Sequence, residues 1–386
     1  MFEPNDYARL KERISSAIAA DAHLLEELRS EIKVLRAATR PIHPRSCTSV
    51  SLVATDGGDN SVYFDPFLVQ VVRVVDSSNN EYCLDAVTPS TDIKRLSDEL
   101  LSSAASGRLH PVGEMMKLLG VGTLTELSHM IRMTQKGEPV SPSWIQVYRE
   151  LTEWAILLRL VRERHFGSDT LIVRDGLLRS KLFAKPLFAE YRKLLNEAIS
   201  RHWQTEHRKI YVVGVAKHSQ VITRYRLAMI LEDVLTAKYP CFAEVPREIE
   251  EKAYKWSEYA RGDDRSLENV TELNNMVAGK MFLVKFGSGS RDPVWPVDIL
   301  LEQVDQAATI IGYLLHDAMD GFPIPFFPRC LQKAHENAAM VDFDFHVLQD
   351  HIVSGIRSLV GTKGDLVDVL RLQAVDPSNE RYSRGS

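Results

Sequence analysis

Two aspartates stand where an apolar run meets glycine. The first closes Ser49-Val50-Ser51-Leu52-Val53-Ala54-Thr55-Asp56 before Gly57-Gly58, and the second closes Thr170-Leu171-Ile172-Val173-Arg174-Asp175 before Gly176. Apolar β-branched runs of this length predict buried strands, and glycine lets the backbone turn sharply, so each carboxylate is expected at the C-terminal end of its strand. Side by side in one sheet, the two would cluster hard oxygen donors of the kind that Mg²⁺ and Mn²⁺ take. Asp-Gly is also an ordinary turn pair, and that alone accounts for either segment taken singly. A third apolar run, Lys209 to Ala216, delivers Lys217 and then His218-Ser219. Late in the chain Gly321-Phe322-Pro323-Ile324-Pro325 leads on to Ala334-His335-Glu336.

The elements that must position these residues can be read in order. A helix is expected over residues 5–37, because Ile14, Ile18, Leu25, Leu28, Ile32 and Leu35 follow alternating steps of four and three, with polar Asp21 in the seam. That coiled-coil-like stripe could pack on its own domain or pair with a second copy. Ser61–Phe64, Phe67–Val75 and Glu81–Val87 read as strands around a turn at 76–80, giving an antiparallel meander. Helices are expected over 93–106, 115–119, 123–134 and 142–166, then 187–203 and 221–238 on either side of the Lys217 strand, and finally 299–319 and 343–359. Residues 240–278 are charged and poor in periodicity, which predicts an exposed excursion. Asp292–Val297 must run extended, since Pro293 and Pro296 forbid a helix. The tail from Asp376 is polar and expected to be disordered.

Composition sets the outer limits. The 386 residues carry 45% apolar residues and a formal charge of −5, enough for one large core and too acidic for a general nucleic-acid coat. A nuclease remains compatible, because bound cations offset acidic ligands and local basic patches can hold phosphates. Arg179, Lys181 and Lys185 follow the Asp175 strand, and Arg224 and Arg226 follow the Lys217 strand, as candidate DNA contacts; solvated faces are the alternative reading. The four cysteines are far apart and form no CxxC pair, so zinc is not indicated and a reducing cytoplasm is expected. No apolar run is long enough to span a bilayer.

In their order along the chain, the Asp56-Gly57-Gly58, Arg174-Asp175-Gly176, Val213-Gly214-Val215-Ala216-Lys217-His218-Ser219, Gly321-Phe322-Pro323-Ile324-Pro325 and Ala334-His335-Glu336 segments resemble the NurA family, nucleases that work beside the HerA hexameric translocase. The resemblance spans about residues 45 to 340. It implies a divalent-metal-dependent DNA nuclease with two Mn²⁺ or Mg²⁺ ions, a HerA-like ATPase partner and a homodimer. The opening meander, with Asp56 on its first strand, suits a ribonuclease H-like mixed α/β sheet flanked by helices. The domain expectation is an N-terminal helix at 1–40, a nuclease domain at 45–345 with a helical insertion at 89–166 and an excursion at 240–278, and a C-terminal helix and tail at 346–386.

Within that resemblance Asp56 would be the bridging metal ligand and Asp175 the second acid, and a third acid is implied on the helix before the Asp175 strand. Glu150 and Glu153 are both open for that place: Glu150 flanks the apolar stripe Val147, Leu151, Trp154 and Leu158, while the family spacing is closer to Glu153. Lys217 would stabilise the transition-state phosphate, position water or hold DNA. His335 would ligate metal or protonate the leaving 3′ oxygen, and Asp298 is a reserve acid. Phe322 stands where the family commonly has a tyrosine, and it has no hydroxyl to donate. The alternatives carried alongside are a catalytically inactive dimeric adaptor of a ring ATPase and a metal-dependent RNase. Repair and defence roles are both open.

Overall fold

The computed structural model describes residues 4–45, 50–64, 67–102, 109–254, 276–339 and 342–361. In chain order these form α1 (Pro4–Ala20), α2 (Ala22–Ile32), α3 (Val34–Ala38), β1 (Arg40–Pro41), β2 (Val50–Phe64), β3 (Phe67–Asp76), β4 (Glu81–Val87), α4 (Ile93–Leu101), α5 (Pro111–Leu118), α6 (Leu124–Leu127) and α7 (Trp144–Glu163). They continue as β5 (Asp169–Asp175), α8 (Leu187–Glu206), β6 (Ile210–Val215), α9 (Gln220–Leu231), β7 (Cys241–Glu244), α10 (Arg247–Ala253), β8 (Gly279–Lys285), β9 (Val294–Leu300), α11 (Ala307–Met319), α12 (Arg329–Ala338) and α13 (Asp342–Val360). Two compact units result, one of residues 1–55 with 157–333 and one of 56–156 with 334–386.

The first unit is built on a mixed sheet in the order β1-β7-β8-β9-β6-β5-β2. The strands β2, β5 and β6 run parallel, and β9, β8, β7 and β1 add antiparallel. Every residue of β6 is buried, as are Thr170 to Arg174 of β5. Such continuous apolar runs are what parallel strands covered on both faces require. Helices lie against this sheet: Ile32 and Leu35 share one core with Val221, Tyr225 and Ala228 of α9 and with Cys241, Ala243, Met281 and Leu283 of β7 and β8. The arrangement is a mixed α/β sheet flanked by helices.

The expected helix over 5–37 is three helices, interrupted at Asp21 and Lys33. Asp21 sits at φ −88 and ψ 3, a helix-end conformation that a short polar side chain favours. The stripe divides there. Ile32 and Leu35 are fully buried, whereas Ile14 and Ile18 are 50% and 68% exposed. Glu31 strengthens the docked half by accepting from the Tyr225 hydroxyl at 2.5 Å and from the Lys252 ammonium at 2.8 Å.

Other expected boundaries move for local reasons. The stretch 240–278 is not all excursion: β7 and α10 lie in it, and 255–275 fall outside the described residues. Ile299 and Leu300 belong to β9 rather than opening a helix, and a 3₁₀ turn, Leu301–Gln306, precedes α11. Pro296 lies inside β9, where its carbonyl accepts the Ala216 N–H at 3.1 Å. The expected helix 123–134 contracts to α6, whose Thr123 and Glu126 form a capping box; Ser128 is extended and a turn at 129–130 follows, closed by the Ile131 N–H to the Ser128 carbonyl at 3.2 Å. The expected tail from Asp376 lies outside the described residues, as do 103–106 of the expected helix 93–106.

In the second unit β3 and β4 form the antiparallel hairpin expected around residues 76–80. Asp76 closes it. Its carboxylate accepts from the backbone N–H of Ser78 and Asn80, from the Asn80 amide and from the Tyr82 hydroxyl, at 2.8 to 2.9 Å. Burial raises the Asp76 pKa, but these four donors outweigh it and hold the group below the usual aspartate range. A depressed folded pKa adds stability above the unfolded value, lost as pH falls through the folded one. Asp76→Asn should therefore cost about 1–3 kcal/mol at neutral pH, with the gap to wild type closing below about pH 4. Urea unfolding across that pH range checks it; a pH-independent gap would contradict it. In the same unit the Tyr148 hydroxyl on α7 donates to Asp85 of β4 at 2.6 Å, and Asn337 on α12 donates to the Asp76 carbonyl at 3.1 Å.

Candidate active site

Asp175 is the last residue of β5, and its position is set by two glycines. Gly176 turns the chain at φ 103, a left-handed value that strains residues with a Cβ. Gly214 of β6 faces Arg174 in the parallel register, and a Cβ there would lie 2.4 Å from the Gly176 carbonyl oxygen. The loop leaving Asp175 thus folds directly over Gly214. That close approach is a physical reason for glycine in both the Arg174-Asp175-Gly176 and Val213-Gly214-Val215 segments.

Lys217 follows β6 by two residues. The Ala216 N–H bond to Pro296 fixes its approach, and Ser219 caps α9 by accepting the Ile222 N–H at 3.1 Å. Strand, lysine and N-cap serine form one continuous device. The Lys217 ammonium lies 3.7 Å from Asp175 Oδ2 and 5.8 Å from the centre of the Phe327 ring. The two side chains are 36% and 23% exposed, so the pair is open to solvent and to a substrate. Phe327 itself is buried, edge-on to Trp295 at 4.8 Å.

Asp298, expected as a reserve acid, is engaged elsewhere. It is fully buried and accepts from the Leu178 N–H at 3.1 Å and from two guanidinium nitrogens of Arg179 at 2.8 and 2.9 Å. The third nitrogen of Arg179 reaches Glu250 at 2.6 Å, and its guanidinium stacks 5.3 Å from the Tyr254 ring. Burial opposes the Arg179 charge, but Asp298 and Glu250 outweigh it and hold the group protonated far beyond the usual range. Burial also pushes the Glu250 carboxyl up, against the pull of Arg179. Arg179 is therefore not the free phosphate contact expected from the sequence, because it clamps the loop that follows Asp175. Glu250 was missed, lying in a stretch that reads as an excursion.

The remaining expected residues fall as follows. Arg224 is half-buried, pairs with Glu31 at 3.8 Å and lies 5.4 Å from the Tyr225 ring; Arg226 is exposed on α9. Lys181 is half-buried and Lys185 exposed. Glu150 and Glu153 are half-buried on α7 in the second unit, with Glu153 3.9 Å from Arg149, and His335 is exposed on α12 in that unit. Asp56 is not at a strand end: β2 continues through Gly57-Gly58 to Phe64. Its side chain lies outside the described residues. The β2–β5 register runs from Val50↔Asp169 to Thr55↔Arg174, and the next residue on each strand is an aspartate. Among the described residues no three His, Cys, Asp or Glu side chains gather as a metal-binding group. Asp175 is nonetheless a hard oxygen donor of the type that Mg²⁺ and Mn²⁺ accept.

No family model and no curated protein matches the sequence. Solved structures do. The chain is similar to the NurA nuclease from Sulfolobus solfataricus at 14% identity, covering 94% of this chain and 99% of that one with a TM-score of 0.44. A second NurA structure gives 11% identity, coverage of 93% and 99%, and a TM-score of 0.46. A NurA bound to dAMP and manganese gives 11%, 85% and 93%, and 0.40. At such identities the chemistry has to rest on this chain's own residues. Among the described residues no helix is long and apolar enough to cross a membrane.

Proposed function

We propose that the chain is a divalent-metal-dependent DNA nuclease of the NurA type, whose reaction is phosphodiester hydrolysis at the Asp175–Lys217 end of the sheet. The observation that carries the reading is the pairing of an open carboxylate with an ammonium 3.7 Å away, both delivered by adjacent parallel strands. Carboxylate and cation side by side are what a phosphoryl centre needs, one to hold metal and one to face the developing negative charge. Asp56, following Thr55 in the paired register, is the proposed second acid, on a ribonuclease H-like nuclease domain at 45–345; Glu150, Glu153 and His335 stay candidate ligands by the resemblance alone. Mn²⁺ or Mg²⁺ bound there would supply Lewis-acid charge and a hydroxide nucleophile. Lys217 would hold a non-bridging phosphate oxygen, its ammonium kept in place by Asp175 and the Phe327 ring. The Asp298–Arg179–Glu250 clamp would keep Asp175 from shifting as substrate binds.

With a charge of −5 the protein would grip DNA only modestly, so resection is proposed to need a feeder, a HerA-like hexameric ATPase. A homodimer would suit the axis of such a ring. Duplex cleavage should accelerate when the motor and ATP are added, and light scattering should give a dimer. A monomer at micromolar concentration whose cleavage ignores motor and ATP would refute the partnership.

A further inference from the structure

Lys285 closes β8 and is fully buried, and among the described residues its ammonium donates to main-chain carbonyls: Gly287 at 3.1 Å, Gly289 at 2.9 Å, Ala237 at 2.6 Å and Tyr239 at 3.2 Å. None of these acceptors carries a charge. The two carbonyls of the β8–β9 loop are thus turned inward, and a planar trans peptide sends the N–H of the next residue the opposite way. Ser288 and Ser290 therefore aim their N–H groups away from the ammonium, and both residues are exposed. Among the described residues neither N–H has an acceptor. Between them the Gly289 N–H goes to the Asp292 carboxylate at 2.6 Å, and a Cβ on Gly287 or Gly289 would collide with that carboxylate. Lys285 and Asp292 hold the loop from two sides. Along 237–240 and 285–292 the charged residues are Lys238, Lys285, Arg291 and Asp292, three cations to one acid, and Lys238 and Arg291 are exposed.

The strand register fixes where this loop stands. β8 runs antiparallel to β9 and β9 antiparallel to β6, so β8 and β6 end at the same edge of the first unit's sheet. Leu283 of β8 pairs with Pro296, whose carbonyl accepts the Ala216 N–H. The loop after Lys285 thus leaves the sheet at the Asp175–Lys217 end, two strand spacings across from Lys217, or roughly 10 Å. Outward amides, an exposed guanidinium and a buried cation behind them form an anion site of the kind that takes phosphate. We propose that the β8–β9 loop, through the Ser288 and Ser290 amides and Arg291, binds a backbone phosphate of the DNA strand held at the Asp175–Lys217 pair. One strand carries a charge about every 3.4 Å of helix axis, so a strand lying at Lys217 has phosphates within reach of the loop. The proposal rests on the nuclease reading for the identity of the polyanion, but not for the anion site itself. Free phosphate offers the same chemistry, and the test separates the two sources.

The test uses the full-length protein in EDTA, so that binding of a single-stranded oligonucleotide is read without cleavage. In protein carrying isotope-labelled serine, the Ser288 and Ser290 amide resonances, assigned with Ser288→Ala and Ser290→Ala, should move downfield as oligonucleotide is added. Arg291→Ala should weaken binding by about 3- to 10-fold near 0.1 M salt and flatten the log–log salt slope by roughly 0.7. Arg291→Lys should restore the slope, because it restores the charge. Lys285 is left intact in these variants, since it holds the loop. Serine amides that do not move, or a wild-type salt slope in Arg291→Ala, would overturn the proposal. Amides that answer inorganic phosphate but not the oligonucleotide would overturn it too, by assigning the site to a free anion. If Asp175→Asn still cleaves DNA while Arg291→Ala flattens the slope, the nuclease assignment of Asp175 fails and the phosphate contact stands. An inactive Asp175→Asn beside an unchanged slope in Arg291→Ala sinks the contact alone.

Discussion

Asp175→Asn should abolish DNA cleavage while leaving the protein folded. The substitution keeps the shape of the side chain and removes the charge that would ligate a cation, so the loss falls on the transition state. Several kcal/mol of metal-borne stabilisation, at 1.36 kcal/mol per decade, amounts to a fall on the order of 10³-fold or more. Stability should move little, within about 1 kcal/mol, because the Asp175–Lys217 pair is partly exposed and such pairs are screened. Calorimetric Mn²⁺ titration gives a second readout: heat of binding present in wild type should be lost or weakened in the variant. Undiminished cleavage in Asp175→Asn would remove the residue from the active site.

The largest structural effect is expected at Arg179. Arg179→Ala would leave Asp298, fully buried, and Glu250 without their common cation. Breaking a buried ion pair from one side costs about 3–5 kcal/mol, since the remaining charge stays desolvated. Arg179→Lys should rescue only part of this, because one ammonium cannot make the two-pronged contact to Asp298 and reach Glu250 as well. Replacing both partners, Arg179→Met with Asp298→Leu, should be milder than Arg179→Ala alone, less the cost of the freed Leu178 N–H. Urea unfolding midpoints decide it. In a folded Arg179→Lys protein the salt dependence of DNA binding should match wild type, because this side chain does not meet phosphate. Wild-type stability in Arg179→Ala, or a flattened salt slope in Arg179→Lys, would contradict the clamp.

What could be read from the sequence was local. An apolar run ending in Asp175 before Gly176, and another ending at Lys217 before a capping Ser219, each specify strand and turn within about ten residues, and the structure has both. The same logic failed at Asp56, because glycine permits a turn without forcing one, and β2 carries straight on through Gly57-Gly58. The N-terminal seam was legible as amphipathic, yet where it packs was not: Ile32 and Leu35 meet α9, β7 and β8, far along the chain from Val221 onward. Asp298 offered a usable signal, an acid in an apolar strand that must find a buried cation. Its partner could not be chosen, because Arg179 lies 119 residues earlier and pairing at that range is set by topology. Short β7 and α10 were hidden by their charged surroundings, and with them Glu250.

The most direct test of the central claim is cleavage of end-labelled single- and double-stranded DNA by the pure protein, in Mn²⁺, in Mg²⁺ and in EDTA. The account predicts nucleotide release or strand scission with either metal, and none in EDTA. Cleavage that persists in EDTA, or intact DNA in every metal condition from a protein that is folded and binds DNA, would contradict it.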